Sequence, residues 1–221
     1  MDTLLAADRI FTPEEILEPG WVEVAGTTVK AIGSGHHPHR EPDWRTTTLA
    51  PGLVDTHVHG GGGASFSTTS GDEAALAAMA HQRAGSTSVI ASLVSAPIPA
   101  LADQLACLAD LCDDGILAGL HLEGPWLSPT HRGAHDLRHL ARGNAAAVDR
   151  LVEAARGHLR MATVAPEILG GFEVIKALID ADVIVAVGHT AADTATTEEA
   201  VEAGARIATH LFNGMPPLHH R

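Results

Sequence analysis

From residue 51 onward the sequence alternates between short apolar runs and longer segments with helical character. The apolar runs are nearly continuous, which is typical of parallel strands buried on both faces between helices. The pattern predicts strands at residues 53–59, 87–94, 116–122, 159–164, 183–187 and 207–210. It predicts helices between them at residues 72–84, 97–112, 144–156, 171–179 and 197–203. We therefore expect an α/β fold with a parallel sheet or barrel; a closed (β/α) barrel has eight strands, more than are predicted here.

Residues 1–50 follow a different pattern. Short β-like pieces occur within residues 4–11 and 21–32, with glycine and proline turn signals between them. Strands this short cannot close a core alone. We interpret residues 1–50 as part of a small β-domain and residues 51–221 as a second domain. The histidine tract at 36–39 is interpreted as an exposed loop.

Composition and charge exclude several classes of partner. The 221 residues carry 14 basic and 27 acidic side chains, a net charge of −13, which argues against nucleic acid or an anionic membrane as a partner. No apolar run reaches the roughly 18 residues of a membrane span, and the N-terminus lacks the basic region of a signal peptide. Cys107 and Cys112 are interpreted as reduced thiols. These features predict a cytoplasmic protein.

Two histidines end the first predicted strand. Alternate side chains on a strand point the same way, so His57 and His59 are expected to project together while Val58 packs behind them. The glycines at 60–63 allow the backbone to turn sharply and leave the histidines accessible. Taken alone, this pair is also compatible with two surface histidines at a strand end.

Three further residues make a metal site the better interpretation. Glu123 follows the third predicted strand, His189 follows the fifth, and His210 ends the sixth. The C-terminal ends of barrel strands meet at one face, where active sites are built. Nitrogen and oxygen donors without thiolate suit a divalent zinc, iron or manganese ion. A single ion with an open position for water and a pair of ions bridged by Glu123 both remain open.

Four sequence blocks, in order, carry a resemblance to a known family. They are PGLVDTHVHG at 51–60, HLEGP at 121–125, VGHT at 187–190 and THLFNGMPPLHHR at 209–221. Together they resemble the N-acetylglucosamine-6-phosphate deacetylases of the amidohydrolase superfamily. The resemblance implies an incomplete TIM-type (β/α)8 barrel of the amidohydrolase type, preceded by part of a small β-sandwich domain.

The resemblance also assigns roles to the metal-binding residues. Glu123, His189 and His210 match the principal ligands of a divalent metal. His57 and His59 match ligands of a second ion, which some members of the family lack. One or two ions are therefore expected.

A substrate pocket is implied in the same way. Asn213 and the backbone of Gly214 match positions that contact a sugar phosphate, and Arg221 matches a phosphate-binding arginine, whose guanidinium can bind phosphate through two hydrogen bonds. His135, in the segment 132–135, resembles a histidine near the acetamide carbonyl. A side-chain donor there would stabilise the developing oxyanion.

The implied reaction is hydrolysis of N-acetylglucosamine 6-phosphate to glucosamine 6-phosphate and acetate, in amino-sugar catabolism, by metal-activated water. The family supplies its general acid/base as an aspartate on a later strand, and neither Asp55 nor Asp193 is an obvious replacement. We therefore expect this chain to be the N-terminal portion of a deacetylase with very low activity alone. The family's usual homodimer is expected for the full-length protein.

Two other interpretations remain. The same ligands could serve another amidohydrolase that acts on a cyclic amide or an N-acyl amino acid. Alternatively, the chain could be a non-catalytic metal-binding protein that keeps the ligands and lacks the proton donor. Asn213 and Arg221 favour the phosphosugar substrate.

Overall fold

The structure, a computed structural model, describes residues 2–217. The chain divides into two compact units, residues 1–53 and 54–221. The sequence-based division after residue 50 lies three residues earlier. Arg221, assigned above to phosphate binding, lies outside the described residues.

The first unit is built on one β-sheet. Its strands are β1 (Asp2–Phe11), β2 (Ile16–Leu17), β3 (Gly20–Ala25), β4 (Thr28–Ser34) and β5 (Trp44–Leu49). The order is β2-β1-β3-β4 with antiparallel neighbours, and β5 pairs with β1 in parallel. A small apolar cluster that includes Ile10 and Val22 forms its core. Strand β5 was not predicted because five of its six residues are exposed and give no alternation.

The second unit alternates strands and helices. Its strands are β6 (Leu53–Val58), β7 (Gly60–Gly61), β8 (Ala64–Ser65), β9 (Ser86–Val94), β10 (Gly119–Glu123), β11 (Leu159–Val164), β12 (Ile184–Val187) and β13 (Ile207–Ala208). Its helices are α1 (Gly71–Arg83), α2 (Ile98–Asp113), α3 (Ala145–Ala154), α4 (Gly171–Asp180) and α5 (Thr194–Glu202). A short 3-10 turn covers Leu137–His139.

One six-stranded sheet organises this unit, in the order β13-β12-β11-β10-β9-β6. The pairs from β9 through β13 are parallel. Strands that are neighbours in sequence are therefore neighbours in the sheet, as expected of βα units that form part of a barrel. The predicted α/β fold class is confirmed.

The two faces of this sheet differ in chemistry. On the helix-covered face, residues such as Leu93, Leu122 and Val164 are buried in one apolar core with side chains of α1 to α4. Alternate residues point the other way, and on this inner face Glu123 and Thr163 are also buried. The buried polar groups lie near the carboxyl ends of the strands.

Helix starts follow side-chain caps. The side chains of Ser70, Asn144 and Asp193 each accept a hydrogen bond from a backbone N–H in the first turn of α1, α3 and α5. Such caps satisfy amides that lack a partner inside the helix. Helix α5 therefore begins at Thr194, three residues before the predicted start.

Three strand boundaries differ where candidate ligands lie, the first being β6, which stops at Val58, one residue before His59. Glu123 was predicted to follow its strand but is the last residue of β10. His210 was predicted to end its strand, yet β13 stops at Ala208 and His210 lies two residues beyond it. His210 has a positive φ of 51°, which extended pairing does not allow.

No helix within residues 2–217 has both the length and the hydrophobicity needed to cross a membrane. The longest, α2, has 16 residues. A bilayer core requires roughly 20.

Candidate metal centre

The candidate centre is organised around Glu123, whose residue is only 3% exposed. Five imidazoles contact its carboxylate, from β6 and the residue directly after it, the segments after β12 and β13, and the loop after β10. The distances from a carboxylate oxygen to the nearest Nε2 are 2.9 Å for His210, 3.0 Å for His189 and 3.3 Å for His57 at Oε1, and 2.9 Å for His59 and 3.4 Å for His135 at Oε2. Side chains far apart along the sequence thus meet at one point.

The backbone beside two of these histidines is unusual. His189 and His210 have φ values of 49° and 51°, in the left-handed region that costs a non-glycine residue free energy unless its surroundings hold it. The Glu167 carboxylate provides such support, since it accepts hydrogen bonds from the Thr190 hydroxyl at 2.5 Å and the Ala191 N–H at 2.6 Å. Glu167 therefore fixes the loop that presents His189.

Backbone carbonyls set the protonation of two rings. His189 Nδ1 lies 2.9 Å from the His131 carbonyl oxygen, and His59 Nδ1 lies 3.0 Å from the Ser92 carbonyl oxygen. A carbonyl can only accept, so each Nδ1 carries a proton. In the neutral imidazole the Nε2 lone pair then faces Glu123.

This arrangement fits a metal ion. A lone pair against a carboxylate oxygen is repulsive unless a proton or a cation lies between them. His57 Nε2 and His59 Nε2 are also only 3.2 Å apart, so a proton on one of them or a shared cation must lie between the two nitrogens. Two sets of three donors are close enough to share an ion: His57, Glu123 and His210, and Glu123, His135 and His189. Carboxylate and imidazole donors suit zinc and other divalent first-row metals.

His135 differs from the other four histidines. Its Nδ1 accepts a hydrogen bond from the Ser95 N–H at 3.2 Å and lies 2.9 Å from the Ser95 hydroxyl. Nδ1 is therefore the unprotonated nitrogen and Nε2 carries the proton. His135 is therefore suited to donate a hydrogen bond from Nε2 into the cavity, whereas Glu123 and His189 are suited to bind an ion.

The charges within the cluster shift several pKa values. Burial alone would raise the pKa of Glu123, but the surrounding histidines, which donate hydrogen bonds to it when Nε2 is protonated, hold it far below its usual range. The hydrogen bond to Glu123 raises the pKa of His59 despite burial. Burial opposes ionisation of His189, yet its bonds to Glu123 and to the His131 carbonyl raise its pKa overall. The carboxylate is thus strongly held as an anion, as a metal ligand must be.

A cavity of about 740 Å³ opens in front of these groups. Its wall includes the five histidines and Glu123, and Val94, Ser95, Ala134, Asp136 and His139 complete it. Asp136 is the other carboxylate of the described lining. The Arg138 guanidinium hydrogen-bonds it and holds its pKa well below its usual range, so Asp136 is a poor proton donor.

Two of the residues predicted to contact the sugar phosphate, Asn213 and Gly214, are not part of the described lining of this cavity. Asn213 is exposed in the segment after His210, where its amide reaches the Leu211 carbonyl oxygen at 3.4 Å. The Gly214 carbonyl accepts a hydrogen bond from the Thr190 N–H at 3.1 Å. Gly214 has a φ of 59°, and a Cβ there would lie 3.4 Å from His189 Nδ1. The segment therefore packs behind a candidate ligand.

Sequence reasoning missed the groups that orient the rings. Ser92 and Ser95 on and just after β9, the His131 carbonyl and Glu167 all position candidate ligands through hydrogen bonds. A serine inside the apolar run of β9 was a usable signal, because a buried polar side chain needs a partner. The carbonyl contact had no signal in the side-chain pattern.

The strand ends of the parallel βα sheet place imidazoles around one carboxylate. This combination of fold and donor groups is that of α/β-barrel proteins with a metal-binding site. The sequence profile of the amidohydrolase family matches residues 48–220. The chain therefore belongs to the amidohydrolase family, in which metal dependence is typical.

Individual relatives are more specific. The chain is 38% identical over 181 residues to N-acetylglucosamine-6-phosphate deacetylase from Bos taurus, covering 78% of this chain and 44% of the relative. It is 33% identical over 225 residues to N-acetylgalactosamine-6-phosphate deacetylase from Escherichia coli O157:H7, covering 100% of this chain and 59% of the relative. The chain thus spans about half the length of the curated relatives it matches.

A solved structure has a closely similar fold. It is a mutant of N-acetyl-D-glucosamine-6-phosphate deacetylase from Mycobacterium smegmatis in complex with N-acetyl-D-glucosamine-6-phosphate. The TM-score is 0.94 at 42% identity, over 100% of this chain and 58% of that chain. The predicted resemblance to this group of deacetylases is confirmed.

Proposed function

We propose that this chain carries the metal centre of a deacetylase that hydrolyses an N-acetylated amino-sugar phosphate. The observation that carries the proposal is the Glu123 carboxylate at the centre of five imidazoles, where the Nε2 lone pairs of neutral His59 and His189 face it and a shared cation would bind. The match to deacetylases over the whole chain supports the reaction class. The expected products are acetate and the free amino-sugar phosphate.

Different residues of the chain have different proposed roles in this reaction. Glu123, His189 and His210 would hold a divalent ion, since both histidines face the same Glu123 oxygen, and His57 with His59 would hold a second ion. Such an ion supplies Lewis acidity and lowers the pKa of a bound water. His135 donates its Nε2 hydrogen toward the amide carbonyl oxygen, where negative charge develops. Zinc, iron and manganese all fit this donor set.

Phosphate recognition belongs to the segment after His210. Asn213 and Gly214 lie there, and Arg221 is the proposed cation for the phosphate. In a chain of net charge −13, a local guanidinium is needed to attract a phosphate dianion. The E. coli relative acts on the galactosamine isomer, so the sugar epimer is left to the test.

The experiment measures acetate release from the metal-loaded chain over long incubations. The substrates are N-acetylglucosamine 6-phosphate, N-acetylgalactosamine 6-phosphate and N-acetylglucosamine without phosphate. We expect slow release from a phosphorylated substrate, because neither Glu123 nor Asp136 is placed as a carboxylic proton donor. Release should disappear on chelation and in Glu123→Gln.

Hydrolysis that is equal with and without the 6-phosphate would contradict the phosphosugar assignment. Faster hydrolysis of a cyclic amide or an N-acyl amino acid would indicate a different amidohydrolase, one that acts on that compound. Bound metal without hydrolysis of any of these compounds would support a non-catalytic metal-binding protein, the second candidate. That candidate is favoured by one observation, the pairing of Asp136 with Arg138.

We also propose a reducing, cytoplasmic location and a homodimer for the full-length protein. The two cysteines, Cys107 and Cys112, are free, which supports a compartment in which thiols stay reduced. The dimer rests on the resemblance to the family. Light scattering of the full-length protein tests it.

A further inference from the structure

Four buried polar side chains lie on the inner face of the sheet, close to the candidate ligands. They are Ser92 on β9, His121 on β10, Thr163 on β11 and Thr209 just after β13; none is more than 4% exposed. Polar groups in such a position cost free energy unless they are hydrogen-bonded.

Their hydrogen bonds form one continuous chain. Ser92 Oγ lies 2.9 Å from His121 Nδ1, and His121 Nε2 lies 2.9 Å from Thr163 Oγ1. Thr163 Oγ1 in turn lies 2.8 Å from Thr209 Oγ1. Both nitrogens of the buried imidazole are therefore bonded, whichever way the protons point.

A glycine leaves room for the hydrogen bond between Thr163 and Thr209, which crosses strand β12. Thr163 and Thr209 lie on either side of this strand, and Gly188 follows its last residue. A Cβ at Gly188 would lie 2.6 Å from the Thr209 Cβ and 3.0 Å from the Thr163 Cγ2. A side chain there would push the two hydroxyls apart.

Each end of the chain reaches a candidate ligand. Ser92 Oγ accepts a hydrogen bond from the Val58 N–H at 3.1 Å, and the Ser92 carbonyl orients the His59 ring. At the other end, Thr209 directly precedes His210. These ligands directly follow the two outermost strands of the sheet, since His59 comes after β6 and His210 comes two residues after β13.

We propose that Ser92, His121, Thr163 and Thr209 form a positioning chain that sets the spacing between His59 and His210 on either side of Glu123. Backbone ladders fix each pair of neighbouring strands, while side chains on the inner face decide how far a curved sheet spreads. Hydrogen bonds are directional, so this chain holds one spacing where an apolar filler would allow several. The inference rests on the proposed function for the ligand roles and adds the residues that support them.

The test removes the hydrogen bonds at the centre of the positioning chain. Thr163→Val keeps the shape of the side chain and removes the hydroxyl between His121 and Thr209, whereas Thr163→Ser restores it. We expect Thr163→Val to weaken zinc binding about tenfold, the lower end of the loss seen when a residue that orients a metal ligand is removed. Thr163→Ser should stay within about twofold of the wild type. Competition with a chromophoric chelator measures the affinity.

Val164→Ala is the matched control. Val164 is the next residue of β11, points to the helix-covered face and is fully buried in the apolar core, so its truncation destabilises the fold without touching the chain. Thermal unfolding of each variant gives its loss of stability. A fall in zinc affinity in Thr163→Val that is no larger than in Val164→Ala would overturn the proposal.

A second measurement needs neither metal nor activity. In the metal-free protein, ¹⁵N spectra of the imidazoles report the tautomer and surroundings of His59 and His210. We expect both signals to move in Thr163→Val and to return in Thr163→Ser; unchanged signals would overturn the proposal even if no metal binds. A protein that passes these tests but hydrolyses no amino-sugar phosphate would refute the proposed function alone.

Discussion

Glu123 is the residue on which the candidate centre depends, because every candidate histidine ligand contacts its carboxylate. Glu123→Gln keeps the shape and removes the charge that attracts a cation. We expect zinc affinity to fall more than about a hundredfold, beyond the loss caused by outer-shell changes. Chelator competition measures it. The control is Glu73→Gln, a carboxylate that accepts hydrogen bonds from the Ser65 N–H and the Thr68 hydroxyl; equal losses in both variants would contradict the assignment.

The alkylation rate of Cys112 tests whether the thiol of this residue, in α2, is buried. Burial, followed by the charge of Asp113, raises its pKa to about 11. The thiolate is the reactive form, so alkylation should continue to accelerate about tenfold per pH unit from pH 8 to about pH 10. In denaturant the rate should level off near pH 9, where an ordinary thiol is largely ionised. Mass spectrometry of iodoacetamide-treated protein measures Cys112 separately from Cys107; a plateau below pH 9 in the folded protein would contradict the burial.

At the scale of elements, the loop after β12 depends on Glu167. Glu167→Gln replaces one of the two acceptor oxygens that hold Thr190 and Ala191, so the left-handed backbone at His189 loses support. We expect zinc affinity to fall about tenfold, with a loss of unfolding free energy of about 1 to 2 kcal/mol. Glu173→Gln is the control, since Glu173 accepts a hydrogen bond from the Ala145 N–H at 2.9 Å and neither residue belongs to the described lining of the cavity. Equal zinc affinity in the two variants would exclude a role for the Glu167 carboxylate in positioning His189.

The central strands of the parallel sheet, β10 and β11, could be predicted because their apolar runs are buried on both faces. β11 was predicted at its observed bounds, Leu159–Val164. β5 could not be predicted, since its threonines face solvent and its position depends on pairing with β1. Two-residue strands such as β7 have no periodicity to detect.

The candidate ligands were predictable for a related reason. Parallel strands place their carboxyl ends at one edge, so polar residues such as Glu123 and His189 at strand ends are expected to meet. The proton positions were not predictable. They depend on contacts between distant segments, such as His189 with the carbonyl of His131, 58 residues away, and on Ser95 beside His135.

At the scale of the whole molecule, all candidate ligands belong to the unit formed by residues 54–221. A metal that binds only the folded state stabilises it by about 2.7 kcal/mol at a concentration one hundred times its dissociation constant. For a protein of this size, that raises the unfolding midpoint by roughly 5 to 10 °C. The rise should appear in the unfolding of this unit and should be reversed by a chelator.

The tryptophans allow that unit to be followed by itself. Of the three tryptophans, Trp21 and Trp44 belong to residues 1–53, whereas Trp126 is fully buried in the second unit. In the double variant Trp21→Phe, Trp44→Phe, fluorescence therefore reports the unfolding of the metal-binding unit. We expect zinc to raise this midpoint, and Glu123→Gln in the same background to remove the rise. A midpoint that zinc raises equally with and without the Glu123 carboxylate would place the ion elsewhere, because stabilisation by linkage requires binding to the folded centre.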